Sequence, residues 1–183
     1  MPDPQTTQSP RAGQAPIQPM QRPLRWLWLA LAVAGLDLAT KYAASHFLGY
    51  AQPVEVTAFF NLTLLHNTGA AFSFLADHPG WQRWLFAGIA VAACAGLGVW
   101  LTRLKADEKR LAAALALIIG GALGNLYDRV VYGYVVDFLS FHAAGWYYPA
   151  FNVADIGITL GAFGLIWESI VGERRRAKHA RQS

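Results

Sequence analysis

The chain has 183 residues, of which 55% are hydrophobic and only 14% are charged. This composition is too apolar for an ordinary soluble protein and predicts an integral membrane protein with a single domain. The formal net charge is +4, and the one cysteine excludes a disulfide or a cysteine-based metal site within the chain.

The first segment, residues 1–23, is rich in proline and glutamine and has almost no side chains to bury. It is predicted to be a flexible tail. From Leu24 to Phe47 the sequence is apolar except for Asp37 and Lys41. Because this stretch is too long for the core of a signal peptide and no convincing cleavage site follows it, we interpret it as a first, uncleaved membrane span.

Three more segments are predicted to cross the membrane, at residues 83–103, 111–131 and 150–171. The first of these is uncharged between its two arginines, and at about 1.5 Å per residue it nearly matches a hydrocarbon layer of about 30 Å. Glycines four residues apart in the other two spans are typical of close helix packing. They are Gly120 and Gly124, and Gly157 and Gly161.

Lysine and arginine are distributed unevenly between the two sides of this four-span arrangement. Twelve of the fifteen lie before the first span, between the second and third, or after the fourth. The positive-inside rule predicts that both termini and the middle loop are cytoplasmic, while segments 48–80 and 132–149 face outward. The basic end, residues 172–183, is predicted to be a cytoplasmic tail that contacts anionic lipid rather than nucleic acid. Residues 24–171 are expected to form a single membrane domain.

The first outward segment is predicted to contain a small β-sheet. Its apolar residues alternate at Val54, Val56, Leu62 and Leu64, and the sequence Asn-Thr-Gly after them is typical of a turn. The apolar residues 70–75 that follow are expected to lie along the membrane surface. The expected fold class is therefore an all-α integral membrane protein with four transmembrane helices and a small extracytoplasmic β-sheet.

Polar side chains near the outer ends of the last two spans are predicted to lie at one depth. The fourth span enters from outside, so Asp155 lies about 6 Å below Phe151 in a regular helix. In the third span Arg129 lies about 27 Å along the helix from Leu111, which also brings it to the outer surface. Asp137 lies in the segment between them. The gathered residues are Asn67, Asn125, Asp128, Arg129, Asp137, Asn152 and Asp155. Because ionisable groups at membrane depth are costly, such a cluster indicates a functional site.

Some of these residues have a structural explanation. Asp128 and Arg129 could form a charge pair at the end of the third span, and a structural role is favoured for Asp128. Asp37 and Lys41, at i and i+4 in the first span, are interpreted as an internal ion pair with a structural role.

The start of the fourth span also allows two interpretations. Asn152 could cap the helix, and Asp155 would then suit the positive end of the helix dipole. This interpretation accounts for both residues without any catalysis, but it does not account for Asp137.

Most other chemistries lack the residues they need. The motifs of serine hydrolases and zinc peptidases are missing, and the five histidines form no ligand-spaced pair, so neither a metal nor another cofactor is expected. Two neighbouring carboxylates remain, of which one would hold a proton while the other stays charged. An aspartic protease requires this asymmetry.

Two other classes of protein remain open. A small transporter or proton carrier also uses intramembrane acids, but it is expected to hold them near the midplane in broken helices rather than at one face. A structural membrane protein with capped helices is the other alternative, and it predicts that loss of one carboxylate affects only stability.

Four motifs make the chain similar to a known family. They are DLATK at 37–41, HNTGAAFSF at 66–74, GGALGNLYDRVVYGYVVDF at 120–138 and FNVAD at 151–155. In this order on a four-span chain they resemble bacterial lipoprotein signal peptidase, also called signal peptidase II. The resemblance covers all but the N-terminal tail and the basic end.

The resemblance implies a four-helix aspartyl endopeptidase of the bacterial inner membrane, with a β-cradle, a short surface helix and an active site at the outer face. Its substrate would be a prolipoprotein whose cysteine carries diacylglycerol, cleaved on the N-terminal side of that cysteine. Membrane lipid is the other expected partner. The oligomeric state is left open.

Carried over by motif, the catalytic pair falls on Asp137 and Asp155. The residues expected to bind substrate or orient the pair are Asn67, Asn125, Arg129 and Asn152, and Asp37 and Lys41 are expected to be mainly structural. Two positions depart from the family's pattern. Ile156 stands where a small polar residue is common, and His66 stands where tyrosine is expected. Neither belongs to the pair.

Overall fold

The computed structural model describes residues 23–69 and 80–180, with side chains described up to residue 171. The predicted N-terminal tail up to residue 22 and the predicted surface helix at 70–75 lie outside the described residues, as does the end of the basic segment, 181–183. The described parts form four long helices and one small sheet.

Within residues 23–69 and 80–180, four helices are long and apolar enough to cross a membrane, as the sequence predicts. A 3₁₀ turn at Pro23–Trp26 leads into the first helix, and the four are α1 (Leu27–Phe47), α2 (Trp81–Thr102), α3 (Lys109–Val131) and α4 (Val153–Ala180). The bounds of α1 to α3 lie within a few residues of the predicted spans. α4 continues beyond its predicted end at Val171, because the Glu, Arg, Ala and Lys residues that follow are good helix formers and no proline interrupts them.

One antiparallel sheet lies beside the ends of the helices. Its strands, in spatial order, are β1 (Val54–Thr57), β2 (Phe60–Asn67), β3 (Val135–Ala143) and β4 (Trp146–Tyr147). β1 and β2 confirm the strands predicted after the first span. β3 is not predicted by the sequence pattern, because residues 135–138 are all buried. With both faces of the strand covered, the alternation that marks a half-buried strand is missing.

α3 is the central helix and packs against α1, α2 and α4. A Cβ atom at Gly120 would collide with the backbone of α1, and one at Gly161 with the backbone of Ala114 in α3. These contacts confirm the packing role predicted for the glycine pairs. A Cβ atom at Gly121 would overlap the carbonyl oxygen of Ala154, so the first turn of α4 rests directly on α3.

Candidate active site

Asp137 and Asp155 are brought together where β3 meets the start of α4. Asp137 is buried on β3, and Asp155 is half-buried in the first turn of α4. The backbone of Phe151, just before α4, pairs with Leu139: each N–H donates to the other's carbonyl, at 3.0 and 2.9 Å. This short antiparallel bridge places the segment leading into α4 against β3.

Asn152 caps α4, as one of the two sequence interpretations predicts. The backbone N–H of Asp155 donates to Asn152 Oδ1 at 3.0 Å, and the backbone N–H of Asn152 donates to Asp155 Oδ2 at 3.2 Å. The two residues thus form a reciprocal capping box. This arrangement fixes the position of the Asp155 carboxylate relative to the helix start.

The same Asn152 side chain also contacts Asp137. Because Asn152 Oδ1 accepts from a backbone N–H, its Nδ2 faces the opposite way, and it donates to Asp137 Oδ1 at 2.7 Å. The other oxygen, Asp137 Oδ2, accepts from Asn67 Nδ2 at 3.0 Å. Both carboxylate oxygens of Asp137 therefore have an amide donor.

Asn125, on α3, links the contacts of the two acids. Its Nδ2 donates to Asp155 Oδ1 at 2.9 Å, and its Oδ1 accepts from Asn152 Nδ2 at 3.1 Å. Asn125 and Asn152 together form a hydrogen-bonded amide chain that runs from Asp155 to Asp137. Asn152 therefore belongs both to the helix cap and to the site. Its interpretation as a cap and its interpretation as a site residue do not exclude each other.

The two acids open onto one cavity of about 970 Å³. Asn67, Asn125 and Arg129 line it with them. The Arg129 guanidinium donates to the carbonyls of Asn125 and Gly69, both at 3.3 Å, and lies 5.2 Å from the ring centroid of Phe86. Arg129 therefore adds a positive charge to the wall of a cavity that contains two acids.

Asp137 titrates far from the usual range of an aspartate. Burial raises its pKa from 3.8 to about 7, and the negative charge of Asp155 acts in the same direction. The hydrogen bonds from Asn67 and Asn152 act in the opposite direction. Near neutral pH, Asp137 can therefore hold a proton.

The structural residues predicted from the sequence lie next to this site. Asp37 and Lys41 form the predicted ion pair, with 2.7 Å between Oδ2 and Nζ. The charge pair that Asp128 and Arg129 could form is not seen: Asp128 Oδ2 lies 2.9 Å from Lys41 Nζ instead. Adjacent residues on a helix point in different directions, so Asp128 faces α1 while Arg129 faces the cavity.

Two hydroxyl groups on the cavity wall are not predicted from the sequence. Thr63 on β2 and Ser140 on β3 both line the cavity and are buried. The alternation of Asn61 and Thr63 with apolar neighbours in the Phe-Asn-Leu-Thr-Leu stretch was a usable signal for Thr63. Ser140 had no such signal, because β3 itself lacks alternation.

The two departures from the family's pattern lie at different places. Ile156 is 40% exposed and is not part of the cavity wall. His66 does line the cavity, and its ring stacks on Tyr134 with 4.0 Å between centroids. Of the two departures, only His66 therefore changes the wall of the cavity.

Comparisons with known proteins agree on one family. The family model described as signal peptidase (SPase) II matches residues 29–171. A lipoprotein signal peptidase of Pseudomonas syringae pv. tomato is 56% identical over 144 residues, covering 78% of this chain and 83% of the relative. One of Vibrio parahaemolyticus is 49% identical over 148 residues, covering 80% and 88%.

A solved structure shares the fold. A bacterial membrane enzyme determined by the in meso method at 2.3 Å resolution superposes with a TM-score of 0.74 at 28% identity, covering 84% of this chain and 92% of that one. With four candidate spans and this match, the chain is a multi-pass membrane protein. The family model and the relatives show that it belongs to the signal peptidase II family of peptidases.

Proposed function

We propose that the chain is an aspartyl endopeptidase of the bacterial inner membrane that removes the signal peptide from diacylglyceryl-modified prolipoproteins. It cleaves on the N-terminal side of the lipidated cysteine. The observation that carries this proposal is the amide chain of Asn125 and Asn152, which holds Asp137 and Asp155 against one cavity. The names of the relatives, lipoprotein signal peptidases, support the substrate class.

The two carboxylates have different tasks in this mechanism. Asp155 is the base, which takes a proton from a water molecule as the water oxygen attacks the carbonyl carbon of the scissile peptide bond. Asp137 holds a proton, because burial and the neighbouring charge raise its pKa to about 7, and it hydrogen-bonds the carbonyl oxygen. When the C–N bond breaks, the leaving amine takes up a proton from the pair. Two acids in different environments thus supply the base and the acid.

The position of the site suits a substrate held by lipid. The cavity lies at the ends of the helices beside the sheet, and it includes three tyrosines that are more than half exposed, namely Tyr50, Tyr147 and Tyr148. Such rings are enriched where a membrane meets water. A precursor anchored by acyl chains would present its scissile bond at this depth. The predicted orientation, with both termini cytoplasmic, places this end of the protein outside.

A gel-shift cleavage assay tests reaction and substrate class together. The purified protein is incubated in detergent with a precursor that carries diacylglycerol on its cysteine and with the same precursor unmodified. Cleavage of the lipidated form alone is expected. Cleavage of neither form would contradict the proposal and favour the transporter class, and equal cleavage of both would remove the lipid requirement.

The rate of cleavage is expected to fall as pH rises through about 7, by about tenfold per further pH unit. Asp137 carries its proton below this pKa and loses it above, and the mechanism needs the protonated form. The measurement is kcat/KM for the lipidated precursor against pH.

Unfolding does not explain such a fall. The folded protein binds the Asp137 proton more tightly than the unfolded chain, so this group's contribution to stability falls between about pH 3.8 and 7 and is constant above. A parallel series of Tm measurements is the control. A rate that stays constant from about pH 6 to about pH 9 would contradict the proton assignment.

The orientation is tested by reporter fusions. A reporter that is active only in the cytoplasm is expected to be active when fused after Arg176, because the basic residues follow the fourth span. The same reporter fused after Ala144, in the turn between β3 and β4, is expected to be inactive. The reverse pattern would overturn the orientation.

A further inference from the structure

Asp37, Lys41 and Asp128 form a buried group next to the site, called here the lysine cluster. Their side chains are 0%, 3% and 1% exposed. Lys41 Nζ lies 2.7 Å from Asp37 Oδ2 and 2.9 Å from Asp128 Oδ2, and it donates to Asn125 Oδ1 at 2.9 Å. The Lys41 ammonium group therefore makes one hydrogen bond and two ion pairs, all of them inside the protein.

Each carboxylate of the lysine cluster also accepts a backbone N–H. Asp37 Oδ1 accepts from Ala154 at 2.8 Å, and Asp128 Oδ2 accepts from Val136 at 3.0 Å. The next residues in the chain are the two proposed catalytic aspartates. Because each N–H group belongs to the residue directly before an aspartate, within the first turn of α4 or within β3, a shift of this backbone also displaces the aspartate.

Both N–H groups need these acceptors. Ala154 lies in the first turn of α4, where the backbone N–H has no acceptor within the helix, and a negative charge there is favoured by the helix dipole. Val136 is buried on β3, where an unpaired N–H would be costly. Asp37 and Asp128 therefore fix the backbone at two separate points.

Lys41 makes a third connection through Asn125. Because lysine can only donate, Asn125 must turn its Oδ1 toward Lys41. Its Nδ2 then faces the other way and donates to Asp155 Oδ1 at 2.9 Å. Asn152 Nδ2 donates to the same oxygen, so Lys41 and Asn152 together fix the orientation of this amide and with it the donor to Asp155.

We propose that the lysine cluster positions the catalytic pair: Asp37 and Asp128 hold the backbone before Asp155 and Asp137, and Lys41 joins the two carboxylates and helps to orient Asn125. This proposal rests on the proposed function, since it concerns the geometry of that pair. A cluster that only stabilised the bundle would affect the folded fraction and not the rate of the folded enzyme.

Asp128 offers the sharpest test, because its Oδ2 forms the ion pair with Lys41 Nζ and also accepts from the backbone N–H of Val136. The single oxygen of Asp128→Asn can keep both contacts, whereas Asp128→Ala loses both. For the folded enzyme and a lipidated precursor, Asp128→Ala is expected to lower kcat by about tenfold or more with KM within about twofold. Asp128→Asn is expected to lower Tm but to keep kcat within about threefold of wild type.

Leu115→Ala is the matched control. Leu115 is fully buried in α3 and packs with Leu101, Leu104 and Ala112, away from the lysine cluster. Its truncation leaves a cavity and is expected to lower Tm by an amount comparable with Asp128→Ala. Its kcat is expected to match wild type.

Asp37→Ala repeats the test at the second backbone contact of the lysine cluster, the N–H of Ala154. It replaces Asp128→Ala if that variant does not fold. If the alanine variants keep wild-type kcat while their Tm falls as in Leu115→Ala, the lysine cluster is only structural and the positioning proposal is wrong. Failure of the wild-type protein to cleave the lipidated precursor, or full activity of Asp137→Asn, would instead overturn the proposed function itself.

Discussion

Asp137→Asn and Asp155→Asn are each expected to reduce cleavage of a diacylglyceryl-modified precursor by at least about a thousandfold. Asparagine keeps the shape of the side chain, but it can neither take a proton from the attacking water nor donate one to the leaving amine. In Asp137→Asn the single amide oxygen can accept from Asn152 or from Asn67 but not from both. A small local shift therefore accompanies the loss of the acid.

The measurement is single-turnover cleavage, with Tm and size-exclusion profiles to show that each variant is folded. Glu55→Gln is the matched control, since Glu55 is an exposed carboxylate on β1, outside the cavity wall. It is expected to cleave at the wild-type rate. The double variant of Asp137 and Asp155 is expected to lose no more than either single variant, because residues that act as one unit are not additive.

Normal turnover by either single variant would show that the pair is not the catalytic group. A fall in Tm with an unchanged rate would instead assign the changed carboxylate a structural role, such as the helix cap that is one sequence interpretation of Asp155. The transporter alternative makes a different prediction, namely no cleavage by any form of the protein, including wild type.

The four spans and the pair of acids could be predicted because their signals are local. Each span is a continuous apolar run, and Asp137 and Asp155 lie in short, recognisable motifs at the same predicted depth. Strand β3 could not be predicted, because residues 135–138 are buried on both faces and lack alternation. Asp137 was therefore expected in a connecting segment, when in fact a strand holds it in place.

The partners of the buried charges could not be predicted for a related reason. Sequence proximity allowed a pair between Asp128 and Arg129, but the actual partner of Asp128 is Lys41 on α1. The contact of Asp37 with the backbone of Ala154 joins α1 to α4, and nothing in either local sequence indicates it. Such contacts depend on how the helices pack, which the close glycine approaches in α3 determine.

Asn152 is the residue at which local and long-range contacts coincide. Its Oδ1 caps α4 and its Nδ2 donates to Asp137. Serine is also a good helix cap but has no amide nitrogen, whereas alanine has neither group. Asn152→Ser and Asn152→Ala therefore separate the two contributions.

Both variants are expected to lose activity to the same extent, by about 5- to 150-fold, since a buried acceptor left without its donor costs about 1–3 kcal/mol. Asn152→Ala is expected to be less stable than Asn152→Ser by about 1 kcal/mol, the usual contribution of a cap. In both variants Asn125 Oδ1 and the carbonyl oxygen of Val136 lose the hydrogen bond that Asn152 Nδ2 donates. The difference between the variants therefore reports on the cap alone.

The two measurements are kcat for the lipidated precursor and the free energy of unfolding in detergent. Equal rates with unequal stabilities would show that catalysis needs the amide contact to Asp137, while the cap serves the helix. If Asn152→Ser works at nearly the wild-type rate and Asn152→Ala does not, the amide contact is not used in catalysis. Serine at position 152 can keep both bonds of the capping box with Asp155. In that case the capping box alone would be sufficient to position Asp155 for catalysis.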